Sequence, residues 1–298
     1  MKESQLAQKL KKHLANVVQN NGSDLHLSVG DYPIMRIDGV LYRLSKEEII
    51  SHDDMDSLSE SLLNKKQMEK FLAEMHVDFS LEIDSQDRFR ANMFHQKGHI
   101  SLALRFIPKE IRSLDELGVP DVVYDFIKKT QGLLLLTGPT GHGKSTTLAA
   151  LIDHINHNRQ EHIVTIEDPV EYLHHSDQCL IEQREIGKDA LDFGSALTAC
   201  FREDVDVVLV GEMRDLETIS PAITAAETGH LILGTLHTND SVQTVDRIID
   251  VFPAYQQNQI RFQLANVLLG VVSQRLLKKI GGGKFNSPKS NTSNWCDH

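Results

Sequence analysis

Apolar residues along this chain follow two regimes, and the change between them predicts two domains. Leu6, Leu10, Leu14, Val17 and Val18 recur at helical spacing, which predicts a helix over residues 4–20 closed by Asn21-Gly22-Ser23. Short alternating stretches follow at 24–27, 33–37 and 40–42. Asp38-Gly39 between the last two is a hairpin signal, because that pair tolerates the positive φ a tight turn needs. Residues 46–75 read as one polar helical stretch, and two further strands are expected at 88–93 and 99–106. A period of two puts Arg88, Arg90 and Asn92 on one face of the first. In the second, Leu102, Leu104 and Phe106 share one face and Ser101 and Arg105 the other.

Beyond Phe106 the apolar runs become short and continuous, at 133–137, 163–166, 207–210 and 231–235, with helical patterns between them. Strands apolar on both faces that alternate with helices imply a mainly parallel sheet covered on both sides. The fold class expected is therefore α/β, with a small α+β domain over 1–106, a linker over 107–113, a parallel-sheet domain over 114–284 and a polar, disordered tail over 285–298.

Polar clusters follow each of those four strands, and open parallel sheets bind ligands beyond the carboxyl ends of their strands. The first strand runs into Gly138-Pro-Thr140-Gly141-His142-Gly143-Lys144-Ser145, followed by Thr146 and a helix start. This is the phosphate-loop pattern in its proper strand–turn–helix setting. Free backbone N–H groups and the helix dipole make an anion cradle there. Gly138, Gly141 and Gly143 permit positive φ and close approach, Lys144 brings charge to the β- and γ-phosphates, and the Ser145 hydroxyl can hold Mg²⁺. Only the backbone N–H of His142 is expected to matter. Glu212 ends the third strand, placed to orient an attacking water. Glu167 is favoured as a second site carboxylate, while Asp168 and Glu171 fit a site role and a helix-capping role equally. His237 is expected to sense the γ-phosphate; His230, at the other flank of the same strand, is a weaker candidate. Transition-state charge calls for an arginine as well, and Arg88, Arg90 and Arg105 are candidates beside their plain reading as solvated strand residues.

Composition narrows this further. The 298 residues carry a formal net charge of −11, which weighs against duplex binding through basic side chains, so no nucleic acid is expected. Cys179, Cys200 and Cys296 form no C-x-x-C pair and suggest reduced thiols rather than a disulfide or zinc framework. No apolar stretch approaches the ~20 residues of a membrane span, and the charged N-terminus lacks a signal-peptide core, so a cytoplasmic location is expected.

Taken together, GSDLHLSVGDYPIMRIDG, GPTGHGKSTT, TIEDPVEY, FREDVDVVLVGEMRD and AAETGHLILGTLHT resemble, in order and spacing, the twitching-motility ATPases of the secretion-ATPase superfamily. The likeness runs from about Gly22 to about Lys284. It implies a PAS-like N-terminal domain followed by a RecA-like P-loop domain, assembled as a homohexameric ring that binds ATP and Mg²⁺ between the domains. Arg88, Arg90 and Arg105 would face the nucleotide and Glu212 would activate water. The implied activity is ATP hydrolysis driving type IV pilus retraction, with the inner-membrane platform protein and the pilus base as partners. A retraction paralogue, an ATPase of a conjugation-like secretion system, or a truncated ring component uncoupled from the pilus are the alternatives. Two departures stand out: His142 where the family usually has Ser, and a polar 285–298 in place of a further helical segment, as after truncation or a frameshift.

Overall fold

The computed structural model describes residues 2–83, 87–276 and 293–295. The chain divides into two compact units at Lys109/Glu110.

In the first unit, helix α1 (Lys2–Gln19) precedes strands β1 (Gly22–Ser28), β2 (Ile34–Ile37) and β3 (Val40–Arg43). Asp38 and Gly39, at φ 49° and 81°, make the β2–β3 turn, as the Asp-Gly pair predicts. The single helical stretch expected over 46–75 is instead two helices, α2 (His52–Leu62) and α3 (Lys65–Glu74). Each has its own capping box, Ser51 with Asp54 and Asn64 with Gln67, so side chains satisfy the first N–H groups and set each start. Strand β4 (His76–Ile83) was not foreseen, although Val77, Phe79 and Leu81 alternate; β5 (Asp87–Gln96) and β6 (His99–Ile107) complete the unit. The antiparallel sheet runs β3-β2-β1-β6-β5-β4. Leu25, Leu27, Phe89, Ala91, Met93, Leu102 and Leu104 form its buried face, packed with α1 and α2 residues such as Leu14 and Met55. The opposite face is polar: Arg90 stands across from Arg105, which stands across from Asp24.

The second unit opens with α4 (Leu114–Leu117) and α5 (Asp121–Ile127). Then come β7 (Gly132–Thr137), α6 (Lys144–Asn158), β8 (His162–Glu167), β9 (Leu180–Glu185), α7 (Phe193–Cys200) and β10 (Val207–Val210). Helix α8 (Leu216–Glu227), β11 (Leu231–Leu236), α9 (Ser241–Asp250), α10 (Gln257–Val267) and β12 (Leu268–Leu276) follow. The last element is β13 (Ser293–Trp295). The sheet order is β13-β12-β7-β11-β10-β8-β9, parallel throughout except for the β12–β13 pair. Strand β7 shows why its sequence is uniformly apolar: Leu133 and Leu135 enter one core layer and Leu134 and Leu136 the other. Strands β9 and β12 were not expected from the sequence. The tail expected to be disordered lies outside the described residues except for 293–295, which pair with Gln274–Leu276.

Phe89 is fully buried and packs on Phe106 at a ring distance of 5.3 Å. Phe89→Ala is expected to cost about 3–5 kcal/mol through lost transfer energy and a residual cavity. Chemical denaturation of the first unit's transition checks this.

Candidate functional site

The carboxyl ends of β7, β8, β10 and β11 lie along one edge of the parallel sheet, and the polar residues after them converge there. The loop from Gly138 to Gly143 turns β7 into α6. All three of its glycines have positive φ, at 139°, 80° and 85°. Gly138 is also sterically constrained, since a Cβ there would meet the Gln274 carbonyl oxygen at 2.3 Å. Gly143 closes the loop as the left-handed N-cap of α6, leaving the first-turn N–H groups without intrahelical partners.

The end of β12 forms the loop's other wall. Gln274 is buried, and its Oε1 accepts from Thr147 Oγ1 at 2.9 Å. The Leu276 N–H donates to His142 Nδ1 at 3.0 Å. The sequence reading gave His142 a backbone role alone; its imidazole in fact fastens the loop to β12. Gln274 was missed altogether, though a single amide inside Leu268–Leu276 was a usable signal of a satisfied buried polar group.

Lys144 is only 7% exposed. Its Nζ donates to the carbonyls of Gly138 at 2.7 Å and Pro139 at 3.2 Å, and lies 3.5 Å from His237 Nδ1. Burial lowers its pKa, and the fields of Glu212 and Glu171 oppose that shift. His237 Nε2 lies 3.1 Å from Glu212 Oε1. Burial, followed by the Lys144 charge, lowers the His237 pKa and favours the neutral ring. A neutral ring between an ammonium and a carboxylate settles its tautomer: Nε2–H donates to Glu212, and Nδ1 faces the ammonium as an acceptor. Arg214 also donates to Glu212. Its guanidinium feels the field of Asp168 too. One carboxylate is thus gripped from two sides.

Glu167 has a different environment. Burial pushes its carboxyl up to about 7, although Thr165 Oγ1 at 2.7 Å, Gln183 Nε2 at 3.3 Å and the Glu171 N–H all donate to it. Gln183 also donates to the Tyr172 carbonyl at 2.9 Å, and the Tyr172 hydroxyl meets Thr146 Oγ1 at 2.9 Å. The segment after β8 is therefore tied to the first turn of α6. Arg214, Gln183 and Tyr172 escaped the sequence reading because nothing local marks them.

Four candidates remain. His230 precedes the amino end of β11, at the edge of the sheet away from the loop, where it accompanies Gly132 rather than Thr137. Its Nδ1 lies 3.1 Å from the Ala225 carbonyl, and its ring tilts against Phe201 at 5.6 Å. This corrects the phosphate-sensing assignment: a parallel strand separates its two flanking histidines by its whole length. Arg88, Arg90 and Arg105 lie on the polar sheet face of the first unit. There Arg105 Nε contacts Asp24 Oδ1 at 3.0 Å, with Arg36 Nε on the other oxygen at 3.8 Å, so Arg105 has a structural partner.

Comparison with known proteins shows the family and the fold. A family model described as Type II/IV secretion system protein matches residues 1–290. The chain is 46% identical over 271 residues to the type IV pilus retraction ATPase PilT of Pseudomonas aeruginosa, spanning 91% of this chain and 78% of that one. It is 45% identical over 250 residues to a twitching motility protein of Neisseria gonorrhoeae, spanning 84% and 67%. The crystal structure of the pilus retraction motor PilT with bound ADP superposes with a TM-score of 0.88 at 44% identity, covering 96% of this chain and 81% of that one.

The raised Glu167 pKa has a definite sign for stability. The carboxyl ionises near 4.5 when unfolded and at about 7 when folded. Its contribution is thus fully present below pH 4.5 and lost as pH rises through 7, a swing of about 3 kcal/mol. Glu167→Gln cannot titrate, so it is expected to melt close to wild type at pH 5 and well above it at pH 8. Equal melting differences at the two pH values would refute the assignment.

Proposed function

The chain belongs to the type II/IV secretion system protein family, and on that footing we propose that it is an ATP-hydrolysing motor that drives type IV pilus retraction. One observation carries the chemistry: Lys144 and Glu212 face each other across His237 at the mouth of the phosphate loop. The loop N–H groups and the α6 dipole take the β- and γ-phosphates. Lys144 Nζ exchanges the Gly138 and Pro139 carbonyls for phosphate oxygens, which turns a local contact into substrate binding. Glu212, oriented by Arg214 and His237, accepts a hydrogen bond from water and aims it at the γ-phosphorus. The new P–O bond forms as the bond to the β–γ bridging oxygen breaks, and ADP leaves.

The donor set fits a hard cation. The Ser145 hydroxyl is exposed on the first turn of α6, on the same edge as the site carboxylates. Ser145 would hold Mg²⁺ alongside the nucleotide, where the ion neutralises phosphate charge. We assign the working unit to a homohexamer acting on the pilus platform protein and pilus base at the cytoplasmic face of the membrane. Among the described residues no helix is long and apolar enough to cross a membrane. Arg90, on the polar face of the N-terminal sheet, is assigned to the charge that develops during transfer, and Gly141, Gly143 and Thr146 to the nucleotide cradle.

Glu212→Gln is expected to keep ATP affinity and to slow phosphate release by about 100-fold or more. Lys144→Ala is expected to lose both binding and turnover. Wild type, but neither variant, should restore twitching to a strain lacking its retraction ATPase. Phosphate release equal in wild type and Glu212→Gln would sink the motor reading, and turnover without rescue would sink the pilus assignment. Arg90→Ala is expected to lower kcat more than nucleotide affinity, because its contribution arises in the transition state. Steady-state kinetics with a separate binding titration resolve the two.

A further inference from the structure

The apex of the phosphate loop is Gly141-His142-Gly143, and both of its glycines have positive φ, 80° and 85°. Glycine loses more backbone freedom than any other residue when it is fixed, so the apex is the part of the loop least able to hold its own shape. Lys144 braces the stem through the Gly138 and Pro139 carbonyls. That brace is given up when the ammonium turns to phosphate. Between two glycines the apex has one side chain by which to be anchored, that of His142.

His142 is half-buried, and its Nδ1 accepts from the Leu276 N–H at 3.0 Å. An accepting Nδ1 carries the lone pair, so the ring proton is on Nε2. The Leu276 amide lies past the last pair of β12 with β7, Ser273 with Thr137. The imidazole therefore stands in for a carbonyl that the neighbouring strand no longer supplies. The anchor point itself is well fixed. Thr137 Oγ1 and Ser273 Oγ are 3.0 Å apart, and Gln274 is buried and bonded to Thr147. Leu276 also lies against Gly143, where a Cβ would meet its Cδ1 at 3.7 Å. One hydrogen bond thus ties the most permissive backbone of the cradle to a strand of the sheet.

We propose that His142 is a positioning residue for the nucleotide: its imidazole, acting as an acceptor, keeps the empty loop in the shape that receives the β- and γ-phosphates. The inference rests on the nucleotide-site reading above. The bond uses none of the N–H groups that phosphate would claim, so it holds the loop before and after Lys144 changes partners. Without an acceptor at this point the empty apex samples other shapes. Binding must then order it, and affinity falls by the fraction of loops in the competent shape.

Two variants of the same branching isolate the acceptor. His142→Asn places an amide oxygen where Nδ1 stands, and His142→Leu has none. Titration calorimetry of the full chain with ADP and magnesium should show His142→Leu weakened about fivefold, the worth of one hydrogen bond, and His142→Asn within about twofold of wild type. In steady-state ATP hydrolysis the His142→Leu loss should appear more in KM than in kcat. Nucleotide-free thermal melts separate this from plain stabilisation. A lower melt for His142→Leu with ADP affinity equal to that of His142→Asn would overturn the proposal, as would unchanged affinity in His142→Leu or an equal loss in both variants. Wild type that fails to bind ADP would overturn the nucleotide reading and this inference with it.

Discussion

A single buried ammonium sets the terms for the motor domain. Placing Lys144 at 7% exposure incurs a desolvation cost that must be offset locally. Two loop carbonyls accept from its ammonium, and the fields of Glu212 and Glu171 offset a further part, though burial still lowers its pKa. Those groups come from the loop after β7, the segment after β8 and the end of β10, so the charge balance of one residue fixes how three strand ends are arranged. His237 completes the balance from β11 by staying neutral. An imidazolium there would add a second cation beside the first.

The two carboxylates show how environment divides labour between chemically similar groups. Glu212 is gripped by a guanidinium and an imidazole N–H, which fix its orientation. Glu167 has only neutral donors and is pushed up to about 7. The first is the carboxylate proposed to polarise water. The second carries a proton for part of the physiological range, and it joins β8 to Gln183 and Tyr172 rather than to the phosphate loop.

Much of this was legible in the sequence where chemistry and periodicity coincided. The loop from Gly138 to Ser145, Glu212 and His237 were readable because each follows a short apolar strand, and parallel topology forces such positions to one edge. His230 was misread although it precedes β11, where the same rule puts it at the edge away from the site. Strand β9 was hidden by its amphipathic sequence, LIEQRE, at the sheet edge, and β12 by running on directly from α10 without a turn. Tertiary pairing decides such segments, and no local pattern records it. The partners of Gln274 and of the His142 imidazole lie 127 and 134 residues away in sequence, so the lone amide in an apolar run could mark Gln274 as a buried polar group but not say what it bonds.

The fastening of the loop to β12 has a mechanical meaning. Gln274 holds Thr147 on the first turn of α6 through its side chain, and the Leu276 amide holds His142 of the loop, both from a strand hydrogen-bonded along β7, so the phosphate cradle is attached directly to β12. A displacement of β12 and a rearrangement at the phosphate loop are thus geometrically joined through one amide and one imidazole.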